Sequence, residues 1–220
     1  MRYPYIKYCR NIDIKPIFKG ITGMPLVLDM SDGSDLYEKV DVNDQRAFQA
    51  LLDSMMKDRY SWGVSSYLEN RSHALSQYPQ MVEEKRFYHL GMDIIVPVDT
   101  PLHSPLKSVV EDSGYEEGPG NYGGYVLLRH DSDVFETFYS FYGHLNKTRL
   151  PSVKTELDAG EVFALIGDYP ENGNWFFHTH LQIITRKGLD EGYISKGYCS
   201  AQDLADMNTI CPSPIPLFKT

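Results

Sequence analysis

Five side chains in three short segments carry the chemistry open to this sequence. His89 and Asp93 stand in Y-H-L-G-M-D-I-I, His144 in F-Y-G-H-L-N, and His178 and His180 in F-F-H-T-H-L-Q-I. A zinc ion that catalyses hydrolysis takes three protein ligands from His, Asp or Glu and keeps one position for water. Four of the chain's seven histidines and one aspartate meet that need and leave two imidazoles over. Those two can act on the water or on the charge it creates.

The spacings set how each segment must run. His178 and His180 are two apart, so on a strand they share a face. Both can reach one metal, or one can ligate while the other faces substrate, and spacing leaves that open. Trp175, Phe176 and Phe177 should seal one side, with Leu181 and Ile183 turned into the core. His89 and Asp93 are four apart, which on an extended strand separates them by roughly 13 Å, too far for one ion. Gly91 and the run Ile94-Ile95-Val96-Pro97 speak against a helix. The pair therefore converges only if the chain bends at Leu90-Gly91, where a glycine accepts positive φ. His144 follows the aromatic run 138–142 and Gly143, a context that puts it where a strand ends at a groove. The run itself reads as core by alternation, with some rings on the groove floor. His130 reads as structural, His103 as a candidate substrate contact in a proline loop, and His73 as remote.

The elements that must position these groups are mostly strands. Six short β segments are expected at 92–96, 107–111, 124–129, 134–141, 162–166 and 179–185, separated by Gly and Pro clusters. With no long helix between them they predict a mainly β, antiparallel core. A glycine-rich loop is expected at 113–124, and a short strand at 25–28. The one clear helix spans 43–57, where Phe48, Leu51, Leu52 and Met55 repeat at helical spacing and Asn43 is the expected cap. Residues 61–74 show no clear period. A short helix should follow Ser200, whose Asp203 partner stands three residues on. The prolines of C-P-S-P-I-P-L-F should exclude regular structure after it. The resulting organisation is an elaboration at 1–80, a domain carrying the five polar residues at 81–190 and a tail at 191–220 packing on it.

Composition narrows the partners. The 220 residues are 42% hydrophobic and 13% aromatic, enough for a buried core. Sixteen tyrosines favour strands and ring-lined sites. A formal charge of −9 argues against nucleic acid. No 18-residue apolar run predicts a membrane span. Cys9, Cys199 and Cys211 are scattered, which predicts reduced, buried thiols rather than a disulfide frame. The opening M-R-Y-P-Y-I-K-Y-C-R lacks the apolar core of a secretory signal. The expected location is cytoplasmic, or secreted or periplasmic if the chain is a trimmed form. Nothing in the sequence sets an oligomeric state.

Taken together, H-x-x-x-D, Y-G-H-L and H-x-H-L-Q-I resemble the lysostaphin-type (LytM-type) zinc endopeptidases that cut peptide bridges in peptidoglycan. The likeness covers roughly residues 86–186. It includes H-L-G-M-D-I-I-V-P-V-D-T-P-L-H-S-P-L-K-S-V-V, Y-G-G-Y-V-L-L-R-H and L-D-A-G-E-V-F-A-L-I-G. Residues 61–74 and the closing proline run are similar to a subgroup fused to aminotransferase-like enzymes. The resemblance implies Zn2+ bound by His89, Asp93 and His180, with His144 and His178 as the catalytic imidazoles. It implies a peptide or peptidoglycan substrate and the antiparallel fold of that family. Thr179 departs from the usual leucine and Met92 from isoleucine or valine. There is no H-E-x-x-H, hence no glutamate base of the zincin kind. Two other classes stay open on residues alone: a non-catalytic binding module that keeps the groove, and a non-haem iron enzyme using two histidines and a carboxylate.

Overall fold

A computed structural model describes residues 12–118 and 120–220. Cys9 and the opening ten residues lie outside them. The strands are β1 (Leu26–Val27), β2 (Gly63–Val64), β3 (Tyr88–His89), β4 (Met92–Ile95), β5 (Pro101–His103) and β6 (Ser108–Glu116). They continue as β7 (Gly123–His130), β8 (Phe138–Leu145), β9 (Glu156–Leu157), β10 (Val162–Leu165), β11 (His178–Thr185) and β12 (Tyr198–Cys199). Eight form one sheet in the order β1-β2-β4-β11-β8-β7-β6-β9, antiparallel except between β1 and β2. The mainly β, antiparallel class expected from the sequence is the observed one. Two smaller pairs, β5 with β10 and β3 with β12, complete it.

Both faces of the sheet are covered. Met92, Ile94, Val126, Leu128, Tyr142 and Leu181 build one apolar cluster. Leu127, Tyr139, Phe141 and Ile184 build another with Tyr193, Cys199, Met207, Ile210 and Cys211 of the tail. Every residue of β8 and β11 is therefore buried, and the alternation expected for 138–142 is absent because neither face meets solvent. Cys199 and Cys211 are free buried thiols, as their spacing suggested.

The elaboration is joined to this sheet. The helix α2 (Gln45–Met56) follows α1 (Leu36–Lys39) and seats Phe48 and Leu52, both fully buried, against Phe176 and Ile95. Its cap is Asp44, whose side chain accepts from the Ala47 N–H, rather than Asn43. The adjoining β1 and β2 extend the sheet beyond β4.

Three further expectations are corrected. The segment 134–141 starts too early: Ser132 takes the Val134 N–H, Thr137 donates to Asp131, and this turn chemistry delays the strand to Phe138. Residues 113–116 and 123–124 lie in a β6–β7 hairpin, not a loop, and Gly114 makes room for the Tyr125 ring, whose hydroxyl is 2.8 Å from where a Cβ would sit. The proline-rich close forms a 3-10 turn, Ile215–Leu217, since a first turn needs no N–H from proline. In the tail, Asp203 accepts from both the Ser200 N–H and hydroxyl ahead of a 3-10 turn and α6 (Met207–Ile210); α5 (Arg186–Asp190) precedes them.

Candidate metal centre

Three elements bring the five polar residues together. The chain leaves β3 at His89, turns at Leu90-Gly91 and enters β4, as the spacing required. Gly91 serves a different purpose from the one expected. Its φ is not positive; instead a Cβ there would lie 2.4 Å from His180 Cε1 and 2.8 Å from the Leu181 carbonyl oxygen. The glycine is needed for close approach. Opposite it, β11 pairs with β4 so that His180 faces Asp93 and His178 faces Ile95. His144, next to last in β8, has φ at +64°, in the left-handed region that histidine enters more readily than most residues. Its N–H donates to the Tyr122 carbonyl and its own carbonyl accepts from Gly167, which fixes this turn.

The donor atoms converge closely. His89 Nε2 lies 2.9 Å from His180 Nδ1 and 3.2 Å from Asp93 Oδ1, and His180 Nδ1 is 3.4 Å from that oxygen. A tetrahedral ion with bonds of about 2.0–2.1 Å needs donors about 3.3 Å apart. Each imidazole spends its N–H elsewhere. His89 Nδ1 donates to the Ser66 carbonyl at 3.1 Å, and His180 Nε2 donates to Gln182 Oε1 at 2.9 Å. Gln182 cannot turn round, because its NH2 faces the Tyr193 and Lys196 carbonyls. Both inward nitrogens are therefore bare lone pairs, beside a carboxylate oxygen.

Electrostatics reinforce this. Burial pushes His89 down to about 4, with help from the Arg71 charge, so it is neutral at pH 7. Burial would raise Asp93, but the surrounding imidazoles and Arg71 outweigh it and hold the carboxyl well below its usual range. Three possible ligand atoms within 3.4 Å of one another make a site that a metal cation would balance. The donor set of two neutral imidazoles and one carboxylate fits Zn2+.

The other two imidazoles lie beside this cluster. His178 Nδ1 donates to the Phe176 carbonyl at 2.7 Å and leaves Nε2 3.6 Å from Asp93 Oδ1. His144 Nδ1 donates to the Asn172 carbonyl at 2.8 Å. The two rings stand 4.3 Å apart. Burial lowers His178 to about 4; burial, then its histidine neighbours, holds His144 well below its ordinary value. Phe176 stacks on His178 at 4.1 Å, sealing one side as anticipated for that aromatic run. Asn172 staples the loop by exchanging hydrogen bonds with Trp175.

These groups open on a cleft of about 590 Å³ including its mouth, within the range for ligand sites. Gln80 and Met81, on the helix α4 (Pro79–Glu83) that follows α3 (Ser72–Leu75), form one wall; Ser195, Gly197 and Tyr198 of the tail form another. Tyr122 lines it with a buried hydroxyl that has no partner among the described residues. His130 bonds Ser140, His103 approaches the Ile17 carbonyl, and His73 stacks on Tyr37, all away from the cleft. Sequence reasoning missed Ser65, Glu69, Arg71, Tyr198 and Gln182, which surround the ligands. For two of them the available signal was an acid and a base two apart, E-N-R, in an aperiodic stretch.

Residues 87–191 match the model of Peptidase family M23. Among solved structures the chain is similar to a zinc-containing peptidase from Vibrio cholerae, at 22% identity over 46% of this chain and 28% of that one, TM-score 0.36. It is similar to the catalytic domain of the antimicrobial peptidase lysostaphin from Staphylococcus simulans, at 15% identity over 55% and 80%, TM-score 0.39. It is similar to a putative glycyl-glycine endopeptidase LytM from Ruminococcus gnavus, at 17% identity over 93% and 59%, TM-score 0.40. The chain thus spans little more than a quarter of the Vibrio protein's length. No curated protein matches it.

Proposed function

We propose, on the match of residues 87–191 to the Peptidase family M23 model, that the chain is a zinc-dependent endopeptidase. The observation that carries this reading is the set of three bare donors 2.9–3.4 Å apart with two more imidazoles alongside. His89, Asp93 and His180 would hold the ion. When bound, zinc supplies a Lewis acid and lowers the pKa of a coordinated water to about 7.

The chain's own groups supply the rest. His144 Nε2 and His178 Nε2 are the ring nitrogens not committed to backbone carbonyls, so each can accept a proton and return it. Burial keeps both rings neutral at pH 7, the state a proton acceptor needs. With centroids 4.3 Å apart they cannot both be cations, so one proton is held at a time. Such transfer contributes about 10²–10⁴-fold. The flanking Trp175 and Phe176 exclude water from one side. The substrate class implied by the family resemblance is the peptide bond of peptidoglycan cross-bridges or stem peptides. A non-catalytic module would be expected to have lost ligands, and all five groups are present.

Metal content of protein purified without added metal, compared with Asp93→Ala, tests the centre: one zinc per chain that vanishes in the variant is expected. His144→Ala should keep zinc and lose peptide hydrolysis. Full activity in that variant would remove the assignment.

A further inference from the structure

Residues 63–71 run beside 87–95 as a second, broken strand. After the β2–β4 pairs, the Ser65 N–H donates to the Asp93 carbonyl, Leu68 to His89, His89 to Glu69 and Arg71 to Phe87. The break falls at Leu68, whose φ is +59°. This segment places Ser65, Glu69 and Arg71 under the metal ligands, all three at most 9% exposed.

Their contacts centre on one oxygen. Arg71 Nη2 lies 2.8 Å from Asp93 Oδ2, and the Ser65 hydroxyl donates to the same atom at 2.8 Å. Arg71 Nη2 also donates to Ser65 Oγ at 2.6 Å, and its Nε donates to Glu69 Oε2 at 2.9 Å. Glu69 Oε1 accepts the Met30 N–H at 2.9 Å, anchoring the acid from the opposite side. Arg71 Nη1 reaches the Tyr198 hydroxyl at 3.4 Å. Asp93 Oδ2 thus meets two donors, while Oδ1 faces His89, His178 and His180 among the described residues.

We propose that Arg71, held by Glu69 and Ser65, is a positioning residue that presents Asp93 to the metal through Oδ1 alone. A carboxylate free to rotate can offer both oxygens and raise the coordination number, taking the position kept for water. Pinning Oδ2 on a fixed guanidinium fork prevents this, and the planar fork suits the task better than an ammonium. The inference rests on the metal-centre reading above, and places residues outside the matched 87–191 segment inside that centre.

The test is zinc affinity by chelator competition, with the visible absorption of the Co2+-substituted protein, on full-length wild type, Arg71→Lys and Ser65→Ala. Arg71→Lys keeps the charge but can reach fewer acceptors. It should bind zinc about 10–100-fold more weakly, and its cobalt bands should fade from the intense four-coordinate pattern. Ser65→Ala should shift both in the same direction by a smaller factor. A folded Arg71→Lys with affinity within about twofold of wild type and an unchanged cobalt spectrum overturns the proposal. If Arg71→Lys does not fold, Ser65→Ala decides by the same two readouts. Wild type that binds zinc yet cleaves no peptide would sink the activity reading and leave this test intact; wild type that binds no zinc would sink both.

Discussion

His180 stands directly across from Asp93 in the antiparallel ladder between β4 and β11. Two ligands far apart in sequence thus share one face of the sheet by register alone. A slip of one residue would turn His180 into the apolar cluster below and bring Leu181 to the site. The site is as secure as that register.

Gly91→Ala should dislodge His180. A Cβ 2.4 Å from its ring and 2.8 Å from the Leu181 carbonyl cannot be relieved by a flexible side chain alone. A loss of about 1–3 kcal/mol is expected, with zinc per chain falling well below one. Thermal unfolding and metal analysis check this; a variant with native melting and full zinc would refute the close-approach account.

Gln182→Met keeps the volume but removes the acceptor for His180 Nε2–H. The ring then loses what fixes its tautomer, and zinc affinity should drop about 10–100-fold. Chelator competition measures it. Unchanged affinity would mean that strand packing alone orients the imidazole.

Asn172→Ala should separate catalysis from metal binding. Its side chain makes two hydrogen bonds to Trp175, in the loop that receives His144 Nδ1 and leads to His178. Stability should fall by about 1–3 kcal/mol, and kcat should fall more than zinc affinity. Equal losses in both would contradict the separation.

Acid should destabilise the fold partly through His130, which lies outside the centre. Burial lowers it from 6.5 to about 4. Its folded pKa is below its unfolded one, so its stabilising contribution is complete above pH 6.5 and is lost as pH falls from there toward 4. The loss amounts to about 3 kcal/mol at most. His130→Asn should flatten the wild-type decline over that window in denaturant titrations at several pH values. Parallel curves would show that the site does not titrate as described.

A chain beginning at Met81 should bind no zinc tightly. It lacks β2, the neighbour of β4, along with the donors to Asp93 Oδ2. Circular dichroism and metal content on that fragment provide the check. A folded fragment with wild-type affinity would show that the elaboration is dispensable to the centre.

Much of the site was legible because its polar residues sit in strong local contexts. His178 and His180 lie in an apolar, β-branched run, and the bend at Leu90-Gly91 follows from the His89–Asp93 spacing and the residues after it. The strand at Phe138 was misplaced because Val134 and Phe135 carry strand propensity, whereas Asp131, Ser132 and Thr137 close a turn through side chains. Residues 63–71 stayed unread for a physical reason. Their extended course is imposed by hydrogen bonds to 87–95 and by one left-handed residue, Leu68. No periodicity records a partner that distant. Arg71 and Glu69 are of types that are mostly exposed, and only the fold shows them buried together.

The cleft draws on segments far apart in sequence. Arg71 precedes the metal ligands of β3, β4 and β11 in sequence, and Gly197 and Tyr198 follow them. During synthesis, His178, His180 and the Gln182 that orients one of them emerge late, and the wall formed by Tyr198 later still. Until those segments have been made, a nascent chain carries no finished centre. The centre is completed only when β11 docks between β4 and β8.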